Sequence, residues 1–160
     1  MKSFHGPRVV LISRAMPVAK STLETFVSPE DLKAVILDFE KYPEFMKEVT
    51  EVEVLERSDE AIVAKFHIHI AFAGFDIRSS YTTRYTIDGH TITWELVESE
   101  NITKMNGKWE LHETDDDECR AEYEAEVETN LGVPPDVQAL FVEESLPKLM
   151  ESFRDRAEEL

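Results

Sequence analysis

Apolar residues recur at every second position between residues 49 and 129. Val52 and Val54 alternate with Glu51 and Glu53, and Ile62, Ala64, Phe66, Ile68, Ile70 and Phe72 enclose Lys65, His67 and His69. Phe75, Ile77, Ser79, Tyr81, Thr83, Tyr85 and Ile87 share one face of the next stretch, opposite Asp76, Arg78, Arg84 and Asp88. Ile92, Trp94 and Leu96 follow, then Met105, Gly107, Trp109 and Leu111, then Cys119, Ala121, Tyr123, Ala125 and Val127. A period of two predicts strands with one buried and one wet face. The breaks at Ser58-Asp59, Ala73-Gly74, Asp88-Gly89, residues 99–101 and residues 114–117 fit hairpin loops. Six consecutive strands joined this way make an antiparallel meander.

On both sides of the meander the pattern changes. Residues 19–27 read as a further strand. Ser28 is suited to cap a helix, Pro29 to its first position, and Glu30 and Asp31 to its positive end. Leu32, Val35, Ile36 and Phe39 then form an apolar face. Tyr42-Pro43 ends this helix or begins a short second one carrying Phe45 and Met46. Pro134-Pro135-Asp136 opens a long helix whose apolar stripe is read as Val137, Leu140, Phe141, Met150, Phe153, Ala157 and Leu160. Pro147 falls inside it and is expected to kink it. About 25 helical residues span ~37 Å. Strands of about 11 residues span ~36 Å, so this helix can lie along the whole buried face of the sheet. Residues 1–17, punctuated by Gly6-Pro7 and Met16-Pro17, read as an irregular arm. Residues 18–160 read as a single ligand-binding domain.

Charge narrows the function classes. The chain has 34 acidic against 17 basic residues, a net charge of −17. Phosphate backbones and anionic membrane surfaces repel such a shell, so no nucleic-acid partner is expected. The acids gather at positions that alternation places outside, which leaves the interior almost free of charge. The single cysteine, Cys119, excludes an internal disulfide and any Cys-based zinc cluster. No apolar run reaches the ~7–15 residues of a signal-peptide core or the ~20 of a membrane span, so a cytoplasmic location is expected. The sequence does not fix the oligomeric state.

Several segments together resemble a known family. Ser28-Pro29-Glu30-Asp31 leads into Asp38-Phe39-Glu40-Lys41-Tyr42-Pro43-Glu44-Phe45-Met46, followed directly by VTEVEVLER over Val49 to Arg57. Asn106-Gly107-Lys108-Trp109-Glu110-Leu111 stands in a late strand, and Leu146-Pro147 and Phe153 in the last helix. From about residue 18 onward the chain resembles the START-like (helix-grip) superfamily. Within it, the chain resembles the polyketide cyclase/dehydrase and lipid-transport group, close to coenzyme-Q-binding START-domain proteins. The resemblance implies an α+β helix-grip fold: a curved antiparallel sheet of about seven strands, ordered β-α-α-β6-α, wrapped around the long C-terminal helix. It also implies a hydrophobic pocket for a quinone, lipid or polyketide-like molecule, with no fixed catalytic constellation. A polyketide aromatase/cyclase or dehydrase is the alternative. A ribosome-associated toxin-like regulator is a further one.

The nominated ligand-binding positions are Phe66, Ile68, Ile70, Ser79, Tyr81, Thr83, Trp94, Met105, Trp109, Tyr123, Leu140 and Met150. Mostly apolar walls with a few polar groups are typical of small-molecule pockets. The inward small residues Ala64, Gly107, Ala121 and Ala125 are read as leaving room. No catalytic residue, cofactor or metal is assigned. Parity puts His67 and His69 on the solvent face, with no third ligand fixed by spacing. The inward titratable groups are Tyr81, Tyr85, Tyr123 and Cys119. Tyrosine titrates too high to serve as a ready base, and Cys119 has no evident histidine partner. The run Asp115-Asp116-Asp117-Glu118 lacks the spaced ligands and glycine of a calcium loop, and reads as a solvated hairpin tip.

Overall fold

A computed structural model describes residues 8–11 and 18–159, with side chains from 18 onward. The elements are β1 (Arg8–Leu11), β2 (Val18–Thr25), α1 (Pro29–Leu37), a 3-10 segment (Phe39–Glu44), β3 (Val49–Arg57), β4 (Ala61–Phe72), β5 (Phe75–Asp88), β6 (Thr91–Ser99), β7 (Ile102–Glu113), β8 (Cys119–Thr129) and α2 (Pro135–Glu159). The strands form one antiparallel sheet in the order β1-β2-β8-β7-β6-β5-β4-β3. The meander and its hairpins stand as predicted.

One correction concerns the arm. Arg8–Leu11 is not irregular but an eighth strand, paired with Ala19–Thr22 at the sheet edge. Its four residues carry too short a pattern to announce a strand, and backbone pairing with β2 supplies what periodicity does not. The remainder of the arm, and Leu160, lie outside the described residues.

The local signals behave as their chemistry requires. Ser28 Oγ accepts the Asp31 N–H at 3.2 Å and caps α1, with Pro29 in its first turn. Leu32, Val35, Ile36 and Phe39 are all buried. The Tyr42 hydroxyl donates to the Ile36 carbonyl and ties the 3-10 segment back onto α1. Register shifts occur between Val49 and Glu51, Val54 and Glu56, Thr82 and Thr83, and Ile102 and Lys104. Such irregularities bend and twist a sheet locally. The bent sheet half-encloses α2, which runs from Pro135 to Glu159 with Pro147 inside it.

Packing divides the concave side into two zones. Near β2 and α1, side chains meet directly: Leu23, Ala121, Leu111 and Ile92 of the sheet join Leu32 and Ile36 of α1 and Met150 and Ala157 of α2 in one buried cluster. Toward β4 and β5, helix and sheet stand apart and leave a cavity. The convex face carries the charge. There Lys104 pairs with Glu126 at 2.6 Å and Lys108 with Glu110 at 3.1 Å.

Candidate functional site: an aromatic-walled cavity

The cavity holds about 600 Å³, within the ~300–1,000 Å³ of small-molecule sites. Strand parity builds its floor. Phe66, Ile68, Ile70 and Phe72 come from β4, Phe75, Ile77, Tyr81 and Tyr85 from β5, Trp94 from β6, Met105 and Trp109 from β7, and Tyr123, Ala125 and Val127 from β8. The roof is α2. Val137, Phe141, Ser145, Leu149 and Phe153 follow one another at intervals of four, the spacing that keeps residues on one helix face. Phe45, Met46 and Val49 close one end, and Leu131 and Val133 contribute from the segment before α2.

The aromatic rings form a closed belt. Phe66 lies 6.2 Å from Tyr85, Tyr85 5.5 Å from Trp94, and Trp94 5.6 Å from Tyr123. Tyr123 lies 4.8 Å from Trp109, Trp109 5.3 Å from Phe153, and Phe153 5.5 Å from Tyr42, which returns to Phe66 at 6.1 Å. Tyr81 stacks on Phe66 at 5.2 Å. These centroid separations fall in the range of favourable ring pairs, each worth roughly 0.5–1.5 kcal/mol beyond burial. At the far end Phe72 of β4 meets Phe141 of α2 edge-on at 5.3 Å.

Among the twelve nominated positions, Phe66, Ile68, Ile70, Tyr81, Trp94, Met105, Trp109 and Tyr123 line this cavity. The other four do not. Leu140 is 43% exposed. It sits one residue out of phase with the Val137–Phe141 row, so its side chain leaves the helix on the wet side. Met150 is fully buried but belongs to the core packed beside β2 and α1. The apolar stripe of α2 is thus two stripes, one facing the cavity and one facing the core. Ser79 donates to Asn101 Oδ1 at 3.2 Å and is not part of the wall. Thr83 is fully buried beside the register shift in β5 and is also outside the wall. The residues missed from sequence are mainly those of α2. Their interval of four overlaps in sequence with the core stripe, and only the packing of α2 separates the two.

The small residues also divide. Ala125 lines the cavity, whereas Ala64 and Ala121 are buried in the core. Gly107 leaves no room, because the Trp94 ring occupies its space. A Cβ there would collide with Trp94 Cζ2 and with the Glu124 carbonyl oxygen. Gly107→Ala is therefore expected to displace Trp94, cost about 1–3 kcal/mol as overpacking does, and shift the tryptophan emission. Equal stability and an unchanged spectrum would show that the ring adjusts freely.

The titratable groups fall into two sets. His67 contacts Glu53 at 2.8 Å and His69 contacts Asp76 at 2.6 Å, so each imidazole has its own carboxylate on the outer face. Arg78 and Arg84 are exposed, and the shift at Thr82/Thr83 does not turn them inward. Inside, burial pushes the phenols of Tyr42, Tyr81, Tyr85 and Tyr123 above the ordinary tyrosine range. Burial likewise pushes the Cys119 thiol up to about 11. At neutral pH these groups keep their protons and act as donors.

The folded chain therefore holds these protons more tightly than the unfolded chain. Their stabilising contribution is complete below about pH 9, where the unfolded thiol is still protonated, and shrinks as pH rises toward about 11. Urea unfolding midpoints are expected to fall across that interval, and less steeply in Cys119→Ala. A midpoint flat from pH 9 to 11 would contradict this.

Comparison with known proteins matches this architecture. Residues 27–154 match the family model described as Polyketide cyclase / dehydrase and lipid transport. Among solved structures, the Zhui aromatase/cyclase of a Streptomyces species superposes with a TM-score of 0.74 at 19% identity, over 90% of this chain and 94% of its own. A START superfamily protein from Mycobacterium smegmatis gives 0.74 at 20% identity, over 89% and 97%. A STAR-related lipid transfer protein from Xanthomonas axonopodis gives 0.73 at 14%, over 96% and 99%. At these identities the likeness is one of fold. No curated protein matches the chain significantly in sequence. Among the described residues no helix is long and apolar enough to cross a membrane. With the helix-grip architecture in place and four-fifths of its residues matched, the chain belongs to the polyketide cyclase/dehydrase and lipid transport family.

Proposed function

We propose that the protein binds or carries a hydrophobic small molecule, of quinone, lipid or polyketide type, in the cavity between sheet and α2, without chemistry of its own. The observation that carries this reading is the composition of the wall. Among the described lining residues the only charged groups are Lys47, Glu48 and Lys148, and the rest are apolar, aromatic, serine, threonine or glutamine. General acid–base catalysis needs a group that exchanges protons near the working pH within reach of the substrate. The wall phenols are shifted away from that range, which favours holding a ligand over transforming it. The family's name spans both cyclase chemistry and lipid transport. The wall tips the balance toward the second.

The test is to extract the purified protein with organic solvent and identify what is released by mass spectrometry. The expected result is an apolar compound in near-stoichiometric amount, or, for an emptied protein, saturable binding of an apolar fluorescent probe. Recovery of nothing, together with no probe binding, would overturn the reading. Turnover of a polyketide-like chain would overturn its non-enzymatic part.

A further inference from the structure

Four aromatic side chains of the cavity wall carry polar hydrogens without a partner among the described residues. Tyr81, Tyr123, Trp94 and Trp109 all line it, and none of their O–H or N–H groups meets a protein acceptor among the described residues. Trp94 and Trp109 are only 7% and 2% exposed. Tyr42 differs, since its hydroxyl donates to Ile36. Three of the four unpartnered donors lie on successive rings: Trp94 to Tyr123 at 5.6 Å, and Tyr123 to Trp109 at 4.8 Å. Tyr81 stands across the floor, stacked on Phe66.

The strand carbonyls of β7 and β8 are committed to an unbroken ladder from Lys104 to Glu113. The neutral acceptor oxygens of the wall, on Thr129, Gln138, Ser145 and Ser152, meet none of these four donors among the described residues. At the rim Lys47 and Lys148 have no carboxylate within 4.0 Å among the described residues, in a chain with twice as many acids as bases. Glu48 is the one carboxylate of the wall among the described residues. Donors taken out of bulk water without an acceptor are unfavourable, and a site that contains them favours the partner that satisfies them. An ammonium group brings only further donors to indoles that can themselves only donate. A bare hydrocarbon leaves them as they are.

From this surplus we infer that the cavity selects an acceptor-bearing ligand. It is an apolar, ring-sized molecule whose polar atoms are carbonyl or ether oxygens, held by the indole and phenol donors of Trp94, Trp109, Tyr81 and Tyr123. The inference rests on the binding function proposed above and specifies the chemistry of the bound molecule.

The test uses two tricyclic probes of nearly the same shape, 9-fluorenone and fluorene, which differ by one carbonyl. Fluorene is the more apolar, so burial alone favours it. The expected result is that fluorenone binds at least about fivefold more tightly, the effect of one net hydrogen bond. Tyr81→Phe, Tyr123→Phe and Trp109→Phe each remove a single donor, and each is read as the ratio of fluorenone to fluorene affinity in the same folded variant, so that lost packing affects both probes alike. At least one is expected to abolish the preference. Equal affinity for the two probes in the parent protein would overturn the inference, as would a preference that survives all three substitutions. If neither probe binds, the binding function itself falls, and this inference with it.

Discussion

Phe66→Ala is expected to lower the free energy of unfolding by about 3–5 kcal/mol, the usual cost of removing a buried aromatic ring. Phe66 is 2% exposed, and its ring contacts those of Phe39, Tyr42, Tyr81 and Tyr85. It joins the 3-10 segment to the floor of the cavity, so its loss removes ring pairs as well as buried area. The space left behind opens toward the existing cavity, and the neighbouring rings cannot collapse to fill it. In a chain of this length, 1 kcal/mol corresponds to about 2–4 °C. The melting temperature should therefore fall by roughly 10 °C. Phe66→Leu, which keeps most of the volume, should cost much less. A loss below about 1 kcal/mol in Phe66→Ala would mean that the belt of rings is not a structural unit.

Ala125→Phe is expected to do the reverse: little to stability, much to binding. Ala125 lines the cavity, opposite Gly107 and Ala19 in the sheet register. The space over Gly107 is already filled by Trp94, so an added ring at residue 125 must project into the void. Filling a void avoids the strain of overpacking, and stability should stay within about 1 kcal/mol. The ring takes the volume a ligand would use. Affinity for an apolar fluorescent probe should drop at least tenfold, about 1.4 kcal/mol. Undiminished probe binding in a folded variant would place the binding site elsewhere.

Much of this architecture was legible in the chain. The meander follows from alternation, since a strand with one wet face must place its apolar residues two apart. The cap at Ser28 and the buried face of α1 follow from local chemistry that no distant contact has to supply. The floor of the cavity was legible for the same reason. Once parity places Phe66 inside, it places Ile68 and Ile70 there too, and Tyr81, Trp94, Met105, Trp109 and Tyr123 follow from their own strands.

The failures share one cause. Whether an inward position meets a neighbour or a void depends on how elements sit against each other. Leu140 and Met150 have the same apolar character as Phe141 and Leu149. Only the rotation of α2 sends one pair to solvent and core and the other to the cavity. Gly107 looked like space and is the seat of Trp94, because the indole from β6 lies across it. Ser79 faces the expected way, but Asn101, 22 positions later, takes up its hydroxyl.

The sequence by itself determined the elements, the side of the sheet that is buried, and the confinement of charge to the shell. These depend on periods of two and four and on local capping, which act within a few residues. The tertiary structure alone decided that helix and sheet meet at one end and stand apart at the other. It also decided that an edge strand completes the sheet, and that aromatic donors gathered in the gap meet no protein acceptor among the described residues. Those are outcomes of packing between distant segments, where shape and distance, rather than pattern, select the contacts.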